Sequence, residues 1–146
     1  MKIYLDTCTI HRPLDDKSQP RIALEAEAVL IVLSLCESGQ VELVSSEVLA
    51  FEVDRNSHPQ RKAFASAVLG LAKSSIMVDD EIAQRAKALE RDGFKAFDAL
   101  HLAAAEAERV DYFCTCDDRF LRKAKARADI TVRVVSPLEL AQEILP

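Results

Sequence analysis

The sequence is poor in glycine and aromatic residues, and it has no long hydrophobic run. Three of its 146 residues are glycine, aromatic residues make up 5%, and tryptophan is absent. No apolar run approaches the roughly 20 residues that a helix needs to cross a bilayer, and the first residues lack the long apolar stretch of a signal peptide. These absences argue against a membrane protein, and we expect a protein of the cytoplasm.

The four cysteines do not form a pattern typical of a metal site or of a disulfide framework. They are Cys8, Cys36, Cys114 and Cys116, and no two of them have the C-x-x-C spacing. The pair Cys114 and Cys116 lies in or beside a predicted strand, where this spacing is unfavourable for zinc chelation. We therefore expect free, buried thiols in a reducing compartment.

The charge balance is acidic. With 19 Lys and Arg against 24 Asp and Glu, the formal net charge is −5. Phosphate contacts supply most non-specific affinity for nucleic acids, so this charge argues against a general nucleic-acid-binding surface. It argues less against a nuclease, because each bound divalent ion adds two positive charges within an acidic site.

The hydrophobic pattern predicts one α/β domain over residues 1–146. Short β-branched runs alternate with longer segments of helical period, which is typical of a mainly parallel sheet. The predicted strands are Ile3–Leu5, Val41–Val44, Tyr112–Thr115 and Ile130–Val135. The predicted helices run from about Arg21 to Ser38, from Ser45 or Ser46 through Glu52, from Pro59, from Asp79 or Asp80 through Leu89, around Phe97 to Ala104, after Asp118 as N-cap, and after Ser136 as N-cap.

Four acidic residues lie where an apolar run ends or a helix begins: Asp6, Glu52, Asp98 and Asp117. In an open parallel sheet, ligands bind beyond the carboxyl ends of the strands, so acids from distant segments can meet there. Carboxylates crowded together repel one another, and a divalent cation relieves that repulsion. The pattern therefore predicts a metal-dependent site for phosphodiester cleavage.

Each of these acids also has a purely structural interpretation. Asp6 and Asp98 can be turn or helix-cap residues, because acids are favoured there by the helix dipole. His101 lies one turn after Asp98, where it can donate to that carboxylate or to a phosphate, or serve as a hydrogen-bonded core histidine. Glu47 and Glu52 compete for one position, since five residues place them about 140° apart on a helix. We favour Glu52, because it lies among apolar residues and has no capping role.

A basic group follows Asp117 and belongs either to a phosphate-steering surface or to a solvated helix face. It comprises Arg119, Arg122, Lys123, Lys125 and Arg127.

The order of these motifs resembles the PIN domain family, and within it the VapC-type toxin ribonucleases and their stand-alone relatives. The motifs are Leu5-Asp6-Thr7, Ser46 with Glu52 six residues later, the segment Asp98-Ala-Leu-His-Leu, and Thr115-Cys-Asp117-Asp-Arg-Phe. Each motif is weak alone, but their order along nearly the whole chain is specific.

The resemblance implies a three-layer α/β/α sandwich around a parallel sheet, a homodimer, and one or two Mg²⁺ or Mn²⁺ ions. It further implies an endoribonuclease that leaves 5′-phosphate ends on RNA, with a possible antitoxin protein as partner. Carried over to this chain, Asp6, Glu52, Asp98 and Asp117 are the metal-binding catalytic acids. Thr115 supports the site with its hydroxyl group, and Glu47 and His101 are further supporting candidates.

Two alternatives remain open at this stage. A catalytically silent PIN-like domain would act through a protein partner. A phosphatase of the haloacid-dehalogenase type also begins with a strand followed by Asp, but it carries a second Asp two residues later, where this chain has Cys8.

Overall fold

The central element is a five-stranded parallel sheet, seen in a computed structural model that describes residues 1–145; Pro146, the last residue of the predicted domain, lies outside the described residues. The strands are β1 (Lys2–Leu5), β2 (Glu42–Ser46), β3 (Ser74–Ile76), β4 (Tyr112–Cys114) and β5 (Arg133–Val135). They lie in the order β3-β2-β1-β4-β5, and every neighbouring pair is parallel.

Helices connect the strands. They are α1 (Thr7–His11), α2 (Pro20–Glu37), α3 (Glu47–Asp54), α4 (Pro59–Leu69), α5 (Asp80–Arg91), α6 (Ala96–Glu108), α7 (Asp118–Lys125) and α8 (Pro137–Ile144), and a single 3₁₀ turn follows α1 at Arg12–Leu14. No helix among the described residues is both long and apolar enough to span a membrane.

The helices cover both faces of the sheet. The chain moves from β1 to β2 to β3 toward one edge, and from β4 to β5 toward the other. Since parallel crossovers are right-handed, these two halves place their helices on opposite faces. Helix α8, which follows β5, packs against α2, and α5 packs against α6. The predicted three-layer α/β/α sandwich is confirmed.

The core explains why the middle strands read as continuous apolar runs. Ile3 and Tyr4 of β1 and Phe113 of β4 are fully buried, and Leu5 is nearly so. A parallel strand covered by helices on both faces has no solvated side, so its side chains need not alternate in polarity. The Ala-rich part of α6 contributes Ala99, Ala104 and Ala105 with no exposure, and α6 packs against α5.

Two elements, β3 and α1, were not predicted, and two strands are shorter than predicted: β4 ends at Cys114 rather than at Thr115, and β5 has lost its first residues. Strand β3 is a three-residue strand that contains two serines and pairs only with β2, so it carries little hydrophobic signal. Helix α1 is five residues long with two threonines, which have low helix propensity. Strand β5 begins at Arg133 rather than at Ile130.

The predicted helix starts are largely confirmed by side-chain caps. Ser46 accepts a hydrogen bond from the Leu49 amide, and Asp79 accepts one from the Ile82 amide. At α8, Ser136 accepts from the Glu139 amide (3.2 Å) while the Glu139 carboxylate accepts from the Ser136 amide (3.1 Å), a complete capping box.

Replacing Ser136 by Ala is expected to lower the free energy of unfolding by about 1 kcal/mol, because the first turn of α8 loses a hydrogen-bond acceptor. Urea denaturation measures the change. Ser57→Ala is the matched control, because Ser57 is exposed and lies outside any helix or strand. Equal stability of the two variants would contradict the capping role.

Candidate active site

The candidate site lies beside the two central strands, where the order in which the chain adds strands to the sheet reverses. Strands β1 and β4 are neighbours, with Leu5 beside Cys114, yet the chain leaves them toward opposite edges of the sheet. Such a switch point opens a crevice beyond the carboxyl ends of the two strands. Asp6 follows β1 directly, and its amide donates to the Cys114 carbonyl at 3.2 Å. Asp117 lies three residues after β4 on the same side.

All four predicted acids line one cleft of about 320 Å³, which we call the carboxylate cleft. They come from the N-termini of α1 and α7, from α3, and from the first turn of α6. The residues that line the cleft are Asp6, Thr7, Cys8, His11, Glu52, Asp98, His101 and Asp117. The fold thus brings together side chains that are more than 100 residues apart in the sequence.

Asp6 is both the N-cap of α1 and a residue of the carboxylate cleft. Its Oδ1 accepts hydrogen bonds from the Thr9 amide (3.1 Å), the Thr9 hydroxyl (2.8 Å) and the Cys8 thiol (3.1 Å). The side chain is 5% exposed. These bonds fix the carboxylate on a short, capped turn directly beyond β1.

Asp117 is the N-cap of α7, and the prediction that Asp118 caps this helix is wrong. The Asp117 Oδ1 accepts from the amides of Arg119 (3.0 Å) and Phe120 (3.1 Å). Asp118 is the first residue of the helix and pairs with Arg21 at 2.6 Å. The helix begins one residue earlier than predicted, and its cap lies at the cleft.

Thr115 supports the approach to Asp117. It is fully buried, and its Oγ1 accepts a hydrogen bond from the Asp117 amide at 3.1 Å. Thr115 is not among the residues that line the carboxylate cleft. Its hydroxyl therefore shapes the turn that presents Asp117.

Asp98 has a raised pKa, to which burial and the neighbouring carboxylates both contribute. It is half-buried in the first turn of α6. Burial, together with the negative charges of Asp6 and Asp117, raises the pKa of Asp98 to about 6, although His101 and Lys95 act in the opposite direction. The carboxylates are thus close enough to repel one another, which is the condition that a bound cation relieves.

Glu52 is held by two neighbours. Its Oε1 accepts from the Thr7 hydroxyl at 2.7 Å and bonds the Nε2 of His101. Burial by itself raises the pKa of Glu52, but the hydrogen bond and charge of His101 and the bond from Thr7 outweigh it and lower the pKa below its ordinary value. Glu52 is therefore anionic and oriented toward the cleft.

His101 is a hydrogen-bonded core histidine rather than a donor to Asp98. It is 2% exposed, and its Nδ1 lies 2.6 Å from the Tyr4 hydroxyl, which in turn bonds Ser46 at 2.7 Å. His101 links the core of the sheet to Glu52 and positions that acid.

Comparison with known proteins identifies the family of the chain. The model of the PIN domain family matches residues 3–126, which is most of the chain. The chain belongs to the PIN domain family. No curated protein sequence matches it significantly.

Two solved structures share the fold of this PIN domain. One is the VapBC2 complex of Rickettsia felis bound to a DNA fragment from its promoter, with 14% identity, a TM-score of 0.57, and coverage of 93% of this chain and 98% of the other. The other is VapBC-1 of nontypeable Haemophilus influenzae, with 12% identity, a TM-score of 0.55, and coverage of 94% and 99%. At these identities the likeness shows the fold alone.

Glu47 lies outside the carboxylate cleft of the PIN domain. Its Oε1 accepts a hydrogen bond from the Val78 amide at 2.6 Å, which ties α3 to the segment after β3. Of the two competing acids, only Glu52 lines the cleft. Glu47 has a structural partner that accounts for its presence.

The cleft contains two side chains that the sequence analysis did not propose, Cys8 and His11. Both belong to α1, which was not predicted, so no signal placed them beside the acids. Burial, followed by the charge of Arg61, lowers the pKa of His11. The wall of the cleft that α1 forms is therefore neutral rather than basic.

Most residues of the basic group after Asp117 form hydrogen bonds or ion pairs with other residues of the protein. Lys123 donates to the Gly93 carbonyl, Lys125 pairs with Glu139, and Arg127 forms ion pairs with acidic residues. Among residues 1–145, Arg119 and Arg122 form no ion pair. This arrangement favours a solvated helix face with at most two free cations for steering.

The cleft provides hard oxygen donors but not a preformed cage. No group of three or more His, Cys, Asp or Glu side chains in the described part of the chain is arranged to hold a metal ion. Mg²⁺ commonly keeps several waters and uses only one or two protein carboxylates together with substrate phosphates. The donor set and the raised pKa of Asp98 therefore fit such an ion, although the predicted four-ligand cluster is not preformed.

Proposed function

We propose that this PIN domain is a divalent-metal-dependent endoribonuclease that hydrolyses RNA phosphodiester bonds. The observation that supports the proposal most is the meeting of Asp6, Glu52, Asp98 and Asp117 in one cleft at the switch point of the sheet. Three of these acids are fixed by hydrogen bonds, and the fourth has a raised pKa. The whole of residues 1–146 would act as one domain.

The cleft residues would have two roles, holding the metal ion and keeping the acids in place. Asp6, Asp98 and Asp117 would hold Mg²⁺ or Mn²⁺, and Glu52 would hold a second ion or orient the water that attacks. A bound divalent ion supplies an activated water and neutralises charge on the phosphate. Thr7 and His101 keep Glu52 oriented, while the Thr9 hydroxyl and the backbone amides keep Asp6 and Asp117 in place.

Cleavage of a mixed cellular RNA pool tests the proposal. The purified protein is incubated with Mg²⁺, Mn²⁺ or EDTA, and the ends of the products are mapped. We expect cuts only with a divalent ion, and 5′-phosphate ends. A folded protein that leaves every RNA intact under all conditions would contradict the proposal and favour a silent domain that acts by binding a partner.

Replacing each of the two competing glutamates by glutamine separates their roles. Glu52→Gln is expected to lower the rate of RNA cleavage by roughly 10- to 100-fold, because the cleft loses an oriented anion. Glu47→Gln is the matched control and is expected to leave the rate unchanged, since Glu47 bonds Val78 outside the cleft. Initial rates at saturating RNA provide the comparison. A larger loss in the Glu47 variant would overturn the assignment.

We further propose that the protein is the toxin of a toxin–antitoxin pair, forms a homodimer, and acts in the cytoplasm. Support comes from the two VapBC complexes that share its fold. The four cysteines are free thiols, which fits a reducing compartment.

Expression in a bacterial host should stop growth, and co-expression of the product of the adjacent gene should restore it and yield a stable complex. Sedimentation should show twice the mass of one chain.

A further inference from the structure

Two large aromatic side chains are exposed beside the carboxylate cleft. Phe51 is 48% exposed and Phe97 is 41% exposed. Their rings stack on each other, with centroids 6.0 Å apart and planes 22° from parallel. Exposed apolar side chains that form a contiguous patch often mark a binding surface.

The two rings are carried by the helices that carry the acids. Phe51 directly precedes Glu52 on α3, and Phe97 directly precedes Asp98 on α6. On each helix, the aromatic ring and the acid thus belong to consecutive residues. The aromatic pair therefore belongs to the same two helices that border the carboxylate cleft.

A second cleft, which we call the aromatic cleft, contains the pair. Its volume is about 320 Å³, and it is lined by Thr7, Phe51, Glu52, Arg55, Asn56 and Phe97. Thr7 and Glu52, which are joined by a hydrogen bond of 2.7 Å, also line the carboxylate cleft, so the two clefts are adjacent and share this pair as a wall. A chain-like ligand that passes over this pair would reach both clefts.

Arg55 gives the aromatic cleft a positive charge. Its guanidinium carbon lies 5.2 Å from the centroid of the Phe51 ring, in a cation–π arrangement. Among residues 1–145, Arg55 forms no ion pair, so its charge is free for a ligand. In a protein of net charge −5, a free cation on an aromatic surface beside acids favours a ligand that has both a flat ring and a phosphate.

We propose that the aromatic cleft is a nucleobase subsite, in which Phe51 and Phe97 stack a base of single-stranded RNA and Arg55 contacts its phosphate. The inference rests on the proposed ribonuclease function and deepens it, because it assigns the residues that would hold a base beside the bond to be cut. Base stacking on aromatic side chains needs an unpaired base, whereas bases inside a duplex are covered by their neighbours. The neighbouring phosphate then lies at the carboxylate cleft.

The test measures binding without cleavage. The Asp98→Asn variant is the parent, and the probe is a fluorescein-labelled single-stranded RNA of mixed sequence, roughly 12 nucleotides long, within the site sizes known for single-strand binding. Fluorescence anisotropy in the presence of Ca²⁺ or Mg²⁺ gives the dissociation constant. A duplex of the same sequence is the competing probe.

Phe51→Leu and Phe97→Leu in this parent are expected to weaken single-strand binding by about 5- to 20-fold each, because Leu keeps apolar bulk but offers no ring face. Arg55→Gln should weaken it too and reduce its dependence on salt. Leu30→Ala is the control, since Leu30 is 45% exposed but lies on α2, which lines neither cleft. In the active protein, the Leu variants should raise KM and change kcat little.

Three results would overturn the inference. If the active protein cleaves RNA but the Leu variants keep both affinity and KM, the nucleobase subsite is wrong and the ribonuclease function stands. If the Leu variants change the sedimenting mass, the aromatic pair is an interface with a second copy of the chain. If the parent binds no single-stranded RNA and the wild-type protein cuts none, both proposals fail together.

Discussion

Replacing Asp98 by Asn is expected to abolish RNA cleavage while making the metal-free protein more stable. The charge of Asp98 is needed to bind a cation, so the rate should fall on the order of 1,000-fold, which corresponds to about 4 kcal/mol of lost stabilisation. In the absence of metal the same charge is unfavourable, because burial and the charges of Asp6 and Asp117 raise its pKa to about 6. A neutral amide removes that cost.

The size of the stability gain follows from the shift in pKa. From an ordinary value of 3.8 to about 6, the shift corresponds to about 3 kcal/mol, which solvent screening of a half-buried group reduces to about 1 to 2 kcal/mol. Urea denaturation in EDTA at neutral pH measures it. Asp54→Asn is the control, because Asp54 lies on α3 with its side chain 83% exposed. A variant at Asp98 that is less stable than wild type would contradict the account.

The pH dependence of the free energy of unfolding tests the direction of this stability change independently. Between about pH 4 and pH 6 the folded protein holds a proton on Asp98 that the unfolded chain has lost, so the stability that this proton contributes decreases as the pH rises through that window. The Asn variant should lack this decrease. Its gain over the wild-type protein should therefore be small at pH 4 and complete above pH 6.5 or so. A constant difference across this range would contradict the shifted pKa.

Replacing His101 by Leu is expected to lower the free energy of unfolding by about 2 to 3 kcal/mol, because a buried hydroxyl and a half-buried carboxylate each lose a partner. Those groups are the Tyr4 hydroxyl, 2.6 Å from Nδ1, and Glu52 at Nε2. Burial raises the pKa of Tyr4, so its hydroxyl stays protonated and needs a partner. Urea denaturation at neutral pH measures the loss.

A double-mutant cycle distinguishes this network from a simple packing effect. Tyr4→Phe alone should also destabilise, since it removes the hydroxyl that bonds the Ser46 hydroxyl and the Nδ1 of His101. The double variant should be more stable than the sum of the single losses, by about 0.5 kcal/mol or more, because the second change removes a group that the first left unsatisfied. Strict additivity would show that Tyr4 and His101 act independently.

The sequence predicted the middle strands of the sheet, and the meeting of two acids at its edge, where the apolar pattern and the position of an acid agree. β1 and β4 are continuous apolar runs that lie in the middle of the sheet, and Asp6 and Asp117 follow them closely. Because parallel strands present their carboxyl ends on one side, these two acids could be placed together from the sequence. Glu52 was separated from Glu47 by its apolar neighbours, and the structure places only Glu52 in the cleft.

Elements with weak local signals were not predictable in this way. α1 forms because Asp6 caps it and Ile10 is buried in the core, which are tertiary effects that propensity does not contain. The places of Cys8 and His11 in the cleft depended on that helix. The short edge strand β3 depends on pairing with β2, which only the folded chain provides.

Two adjacent features of the site also required the structure. A hydrogen bond between His101 and Tyr4 joins residues 97 positions apart, and the stacking of Phe51 on Phe97 joins two helices. Neither has a periodicity in the sequence. The same sequence pattern is compatible with a histidine that serves catalysis, which the geometry does not favour.

The most direct measurement is a titration of the protein with Mn²⁺, followed by electron paramagnetic resonance of the free ion, for the wild type and for Asp98→Asn. We expect the wild type to bind Mn²⁺ and the variant to bind it at least about ten-fold more weakly, since a carboxylate oxygen ligand is lost. Cleavage of RNA in the same samples should follow the bound ion. Equal binding by the two proteins, or cleavage that persists without bound Mn²⁺ or Mg²⁺, would contradict a divalent-metal site in the carboxylate cleft.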